Sequence, residues 1–262
     1  MKVSPMTKEL VISVKKLKHK YKVETTEGKY NFSEETIIKY SIFKGREFNK
    51  LEMDEILEEE ESNSLMNKAI NYLSYQARSE KEIIKYLIDK GSTEDLALKI
   101  CDKIKELGYI DDNALAKSML DYTIRTSKGP RVLEDKLSKK YLDEELTSKI
   151  VKSYTEEMEE DVLEDLLIKI LPRYRSYPKK KQKLLIYQKL LRDGFSSEVV
   201  ASSLNKVEFN DESDEELVKE IKSFIRKHED NFDYNMKSKL ISRLMNKGYE
   251  YSKINEALKS LE

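Results

Sequence analysis

The chain has 262 residues, 38% of them charged and 39% hydrophobic, with 7 Gly, 4 Pro, no Trp and a single Cys. A net charge of −1 excludes a simple polycation that coats nucleic acid, and one Cys excludes an internal disulfide or a Cys-x-x-Cys site. No apolar run approaches the roughly 18 residues of a membrane helix and no basic-then-apolar leader precedes the body, so the cytoplasm is the expected compartment.

The first elements are strands. Leu10, Ile12 and Val14, then Tyr21, Val23 and Thr25, alternate with a period of two on either side of Lys18-His19-Lys20. Glu27-Gly28-Lys29 makes a second turn before Tyr30-Asn31-Phe32, which predicts a small antiparallel hairpin or meander. Ser33 reads as the N-cap of a short helix through Ile37, Ile38 and Tyr40 that stops near Gly45. An acidic helix or linker, about Lys50 to Ser62, completes this module (residues 1–62).

From Leu65 the apolar residues keep a helical period. Leu65, Ala69, Ile70, Leu73 and Ala77 form one stripe, Ile83, Ile84, Leu87 and Ile88 a second, and Leu96 to Leu107 a third. Ser79 with Glu82 is a capping box, Gly91 a helix stop, and Thr93 a further cap. The unit then recurs. Gly91, Gly194 and Gly248 each follow a helix of similar length, and Tyr141 stands where the second unit calls for Gly, so the landmarks are 50, 53 and 54 residues apart. The fold class is therefore mainly α. Four tandem three-helix repeats (63–109, 110–157, 158–207 and 208–262) follow the N-terminal β-hairpin/helix module and stack into an extended, curved body.

Three stretches, in order, resemble the RecX family: YQARSEKEIIKYLIDKG (Tyr75–Gly91), LGYIDDNALA (Leu107–Ala116) and RTSKGPRVLEDKL (Arg125–Leu137). The motif-bearing region covers about residues 65–157, and the later repeats and the strand module are similar to those of the longer members. Tyr141 departs from the pattern, and the third and fourth units match it only in outline. The resemblance implies a non-enzymatic regulator that inserts along the groove of the RecA–DNA filament and lowers its ATP hydrolysis and strand exchange. The motifs also have architectural readings. Gly108 ends a helix, Asp111 or Asp112 caps the next, and Pro130 sits in a first turn where its missing N–H costs nothing.

The inventory offers no catalysis. His19 and His228 are far apart, and no phosphate-binding Gly-rich loop, metal-ligand spacing or nucleophile elbow occurs. Cys101 sits on an apolar stripe, and the acids at 58–61 and 111–112 read as solvated or capping groups, so neither cofactor nor metal is expected. What remains is charge segregation. Residues 52–61 and 155–165 each carry seven acids and no base, while residues 173–192 carry eight bases and no acid. Two basic clusters are candidate partner surfaces: Arg78, Arg125, Lys128 and Arg131 beside the family motifs, and Arg173, Arg175, Lys179, Lys180, Lys181 and Lys183 interleaved with Tyr174 and Tyr177. Cations with rings suit a single strand or a phosphate backbone, and the same cations suit an acidic strip on a protein. The expected partner is the RecA filament, met by a monomer without membrane contact. The alternatives are direct binding of single-stranded DNA through the basic third repeat and a helical scaffold for another protein.

Overall fold

The computed structural model describes residues 8–209, 213–228 and 233–261; the outer limits of the first and last expected segments, residues 1 and 262, lie outside them. Strands β1 (Lys8–Lys16), β2 (Tyr21–Thr25), β3 (Lys29–Phe32) and β4 (Glu47–Asn49) form one antiparallel sheet in the order β3-β2-β1-β4. β4 has no counterpart in the sequence reading, because three residues are too short to show an alternation. A register shift between Val11 and Ser13 sets the phase of β1. Val11 and Glu9 face inward, whereas Leu10 and Ile12, the residues that mark the strand, stand outward. The buried Glu9 carboxylate accepts a hydrogen bond from the Thr25 hydroxyl.

Helix α1 (Glu34–Lys39) is capped by Ser33, as its sequence predicts. Helix α2 (Lys50–Tyr75) takes the helical alternative of the expected acidic helix or linker and extends beyond its expected end near Ser62. It runs unbroken for 26 residues, about 39 Å at 1.5 Å per residue, so the boundary expected at residue 62 falls inside it. Met53 and Ile56 join Val11, Val23, Phe32 and Phe48 in the core under the sheet, and Leu65 and Ala69 enter the next core. Glu60, one of the acids read as solvated, is 8% exposed. It accepts from Ser33 N–H (2.9 Å), the Thr36 hydroxyl (2.6 Å) and the Lys20 ammonium (3.3 Å). Burial pushes this carboxyl up, but the hydrogen bonds outweigh it and hold it below its ordinary value.

Helices α3 (Glu80–Asp89), α4 (Glu94–Glu106), α5 (Asp112–Arg125), α6 (Pro130–Lys139), α7 (Glu144–Ser153), α8 (Glu156–Ile170), α9 (Lys179–Arg192), α10 (Ser197–Lys206), α11 (Ser213–Lys227), α12 (Tyr234–Asn246) and α13 (Tyr251–Lys259) follow, with a 3-10 turn at Leu171–Tyr174. No strand occurs among the described residues beyond Asn49. Cores close within α2–α4, α8–α10 and α11–α13.

The landmark residues share one geometry. Gly91, Tyr141, Gly194 and Gly248 have φ of +97°, +55°, +89° and +99°. The residue before each is a helix C-cap, and the residue after each (Ser92, Leu142, Phe195 and Tyr249) is buried. The pairs Ile83/Leu87, Leu133/Leu137, Ile186/Leu190 and Leu240/Leu244, eight and four residues before each landmark, are all buried. The left-handed conformation costs a side-chain-bearing residue about 1–2 kcal/mol. Burying a Leu stabilises by about 1.5–3 kcal/mol, so the packing around Tyr141 holds it in the glycine conformation.

The caps follow the sequence. Ser79 and Glu82 form the capping box of α3, Asp111 accepts from Ala114 N–H at 2.9 Å, and Pro130 opens α6. Asp112 accepts from Glu80 N–H (3.0 Å) at the start of α3. Cys101 is buried, and that burial pushes its thiol up to about 12. No described group of three His, Cys, Asp or Glu residues could hold a metal ion, and no described helix is long and apolar enough to cross a membrane. The chain divides into two compact units, up to Leu115 and from Ala116 onward.

Candidate functional site

Arg78 lies in the first unit, immediately before the α3 capping box. Its guanidinium sits 4.5 Å from the Tyr72 ring centroid, and Tyr72 stacks on Tyr86 at 4.1 Å and 7°. Lys90 completes this column 5.3 Å from the Tyr86 ring. With Glu82 3.2 Å away, most of the Arg78 charge is used locally. The sequence offered the cation but no sign of the column, because Tyr72 and Tyr86 lie on different helices.

The other three cations of the first cluster lie in the second unit. Exposed Arg125 sits 5.6 Å from the Tyr122 ring, which Lys136 approaches to 4.5 Å. Burial lowers the Lys136 ammonium, and Lys128 adds to that effect. Lys128 donates to Asp193 at 2.7 Å, and Lys189 donates to the other oxygen of the same carboxylate at 2.7 Å. Burial raises the Asp193 carboxyl, but these two hydrogen bonds prevail and hold it below its ordinary value. Lys128 is thus committed to a joint.

That joint continues in the backbone. Gly129 N–H donates to Asp193 O (2.9 Å) and Arg131 N–H to Gly194 O (3.1 Å), so the end of α9 supplies acceptors for the open start of α6. Negative helix end meets positive helix end, the favourable sense of the two dipoles. A Cβ on Gly129 would lie 2.3 Å from the carbonyl of Gly194, a contact that only glycine permits.

The second cluster occupies the 3-10 turn and the first turns of α9. Arg173, Arg175, Lys179, Lys180 and Lys183 are exposed, while Lys181 is half-buried. Tyr174 packs against the α8–α10 core, and Tyr177 is half-buried 6.5 Å from it at 42°. These rings are therefore structural in part, and the surface presents cations more than stacking platforms. Like α6, α9 begins against the end of the next middle helix. Tyr249 donates to Ser176 O (3.1 Å), and a Cβ on Gly248 would meet Lys181 Cβ at 2.9 Å. Here the cations are left outside. Among the described residues Lys180 pairs with the exposed Glu250 at 3.2 Å, a pairing worth about 0–1 kcal/mol. No side chain caps α9, and no acid sits in its first turn. Four lysines at the positive end of a helix oppose its dipole, so this arrangement favours an incoming anion over stability.

Comparison with known proteins gives one consistent result. The family model described as "RecX, first three-helix domain" matches residues 66–103. The protein named "Regulatory protein RecX" from Listeria welshimeri serovar 6b is 35% identical over 251 residues, covering 93% of this chain and 92% of its own. Its namesake from Staphylococcus carnosus is 30% identical and covers 86% of each chain. A crystal structure of regulatory protein RecX aligns with a TM-score of 0.59 at 25% identity, over 75% of this chain and 99% of its own. That of RecX from Lactobacillus salivarius aligns at 0.52 and 30% identity, over 56% and 96%.

Proposed function

This chain belongs to the RecX family of regulatory proteins, and from that premise we propose that it binds the RecA recombinase filament in the cytoplasm and lowers its ATPase and strand-exchange activity without catalysing a reaction itself. The observation that carries this reading is the likeness to the Listeria welshimeri protein across 93% of the chain. The test is RecA ATPase on single-stranded DNA with the purified chain added below the recombinase concentration. Suppression at that ratio is the expected result; unchanged ATPase and strand exchange at stoichiometric excess contradict the reading.

A second reading is favoured by the start of α9. Arg173, Arg175 and Lys179 are exposed at an uncapped helix start and suit a phosphate backbone, either bare single-stranded DNA or the DNA within a filament. Arg78 and Lys128 do not fit that role, since Tyr72, Glu82 and Asp193 already hold them. Division of labour follows from this: the start of α9 contacts phosphate, and the region around Arg125 and Arg131 contacts protein.

A further inference from the structure

One side of α9 carries a stripe the preceding reading does not use. Lys180, Lys183, Leu184 and Tyr187 are spaced at i, i+3, i+4 and i+7, which places them on one helix face. Across from them, Ala201, Leu204 and Asn205 of α10 share a face by the same rule. Together these seven residues line an open groove of about 410 Å³ with no acid in its walls. Leu184, 48% exposed, and the exposed Ala201 are its open aliphatic residues, and the Tyr187 ring in its wall is half-buried against the α8–α10 core. Lys183 is held at 2.7 Å by the neutral Asn205 side chain, so its charge is positioned but not compensated.

We infer that this α9–α10 groove is a docking site for an acidic peptide segment that presents aliphatic side chains to Leu184 and Ala201 and carboxylates to Lys180 and Lys183. The assignment goes beyond the proposed function, concerns the side of α9 that meets α10, and stands whether or not the partner is a recombinase. Charge complementarity selects an anionic occupant, and the floor decides between the two anionic classes. A nucleobase is held by aromatic or guanidinium planes and by hydrogen bonds to its edges. Here the exposed residues of the floor are Leu184 and Ala201, the half-buried Tyr187 ring packs against the α8–α10 core, and the Asn205 oxygen is already engaged. An apolar side chain of a helix laid in a groove matches such a floor.

The test uses the full chain and a fluorescein-labelled twelve-residue peptide of Asp and Glu with two Leu four residues apart, read by anisotropy. Saturable binding is expected, weakened at least tenfold when both peptide Leu are changed to Ser. Neutral substitution in the groove by Leu184→Gln, or filling it by Ala201→Gln, is expected to cost at least tenfold, as is Lys180→Gln with Lys183→Gln. Both groove positions are exposed, so unchanged thermal unfolding checks that each variant is folded. Equal binding of the Leu and Ser peptides, or no effect of Leu184→Gln, overturns the proposal by reducing the contact to unspecific charge. Loss of oligo-dT binding by the same factor on Leu184→Gln also overturns it, by assigning the groove to nucleic acid.

Discussion

The starts of α6 and α9 hold the same place in successive helix sets, and they treat their cations in opposite ways. Each start lies against the end of the next middle helix. At α6 the meeting is backbone on backbone, Gly129 against Gly194, with Lys128 drawn into the Asp193 carboxylate. At α9 it is made by Lys181 Cβ, Tyr249 and the Ser176 carbonyl, and Arg173, Arg175 and Lys179 face solvent. Basic residues at a repeat junction are therefore not one kind of feature. A largely buried acid across the junction, Asp193, draws its lysines into a joint; at α9 the acid across it, Glu250, is exposed, and the lysines stay on the surface at the positive end of the helix, at a cost in helix stability.

The largest effect that sharpens this contrast is Gly129→Ala. The new Cβ meets main-chain atoms that cannot rotate away, so destabilisation of about 3 kcal/mol is expected in urea unfolding. Lys179→Ala at the matching start is expected within about 0.5 kcal/mol of the parent. Equal, small effects would break the distinction.

Next is Asp193→Ala, which leaves Lys128 and Lys189 without their shared acceptor. Discounted for the partial exposure of Lys128, the expected loss is about 1–2 kcal/mol at neutral pH. The folded carboxyl titrates below its ordinary value of 3.8. Its contribution is therefore present above 3.8 and fades as pH falls through the depressed folded value. Parent and variant stabilities should converge below about pH 3.8, and a gap that persists into strong acid would contradict the ion-pair account.

The smallest effect has the opposite sign. Lys179→Glu places an acid at the positive end of α9, four residues before Lys183, and should raise stability by about 0.5 kcal/mol while weakening phosphate binding. A loss of stability there would mean that Lys179 belongs to a joint after all.

Much of the fold was legible because each helix set writes its own punctuation: Ser79 with Glu82, Thr93, Gly-Pro at 129–130, and the glycines at 91, 194 and 248. Even the misfit residue Tyr141 marked its place, since spacing put it where the second unit calls for Gly, and it has the positive φ of the three landmark glycines. The outward phase of Leu10 and Ile12 was not legible, because one register shift inside β1 reverses which side of an alternation faces the core. Glu60 looked like its neighbouring acids, and only the fold brings Ser33 and Thr36 to it. The candidate surfaces were legible as cations but not as environments. Lys128 and Asp193 are 65 residues apart, and no local pattern announces that pair.

The central claim is that the start of α9 is a phosphate-binding surface and the start of α6 a joint. The most direct test is a salt titration of oligo-dT binding by the parent, by Lys128→Gln with Arg131→Gln, and by Arg173→Gln with Arg175→Gln and Lys179→Gln. The account predicts that the α9 variant loses about 0.7 in log–log slope for each phosphate contact removed, with unchanged thermal unfolding, while the α6 variant keeps the parental slope and unfolds earlier. A parental slope in the α9 variant, or a reduced slope in the α6 variant, would contradict it.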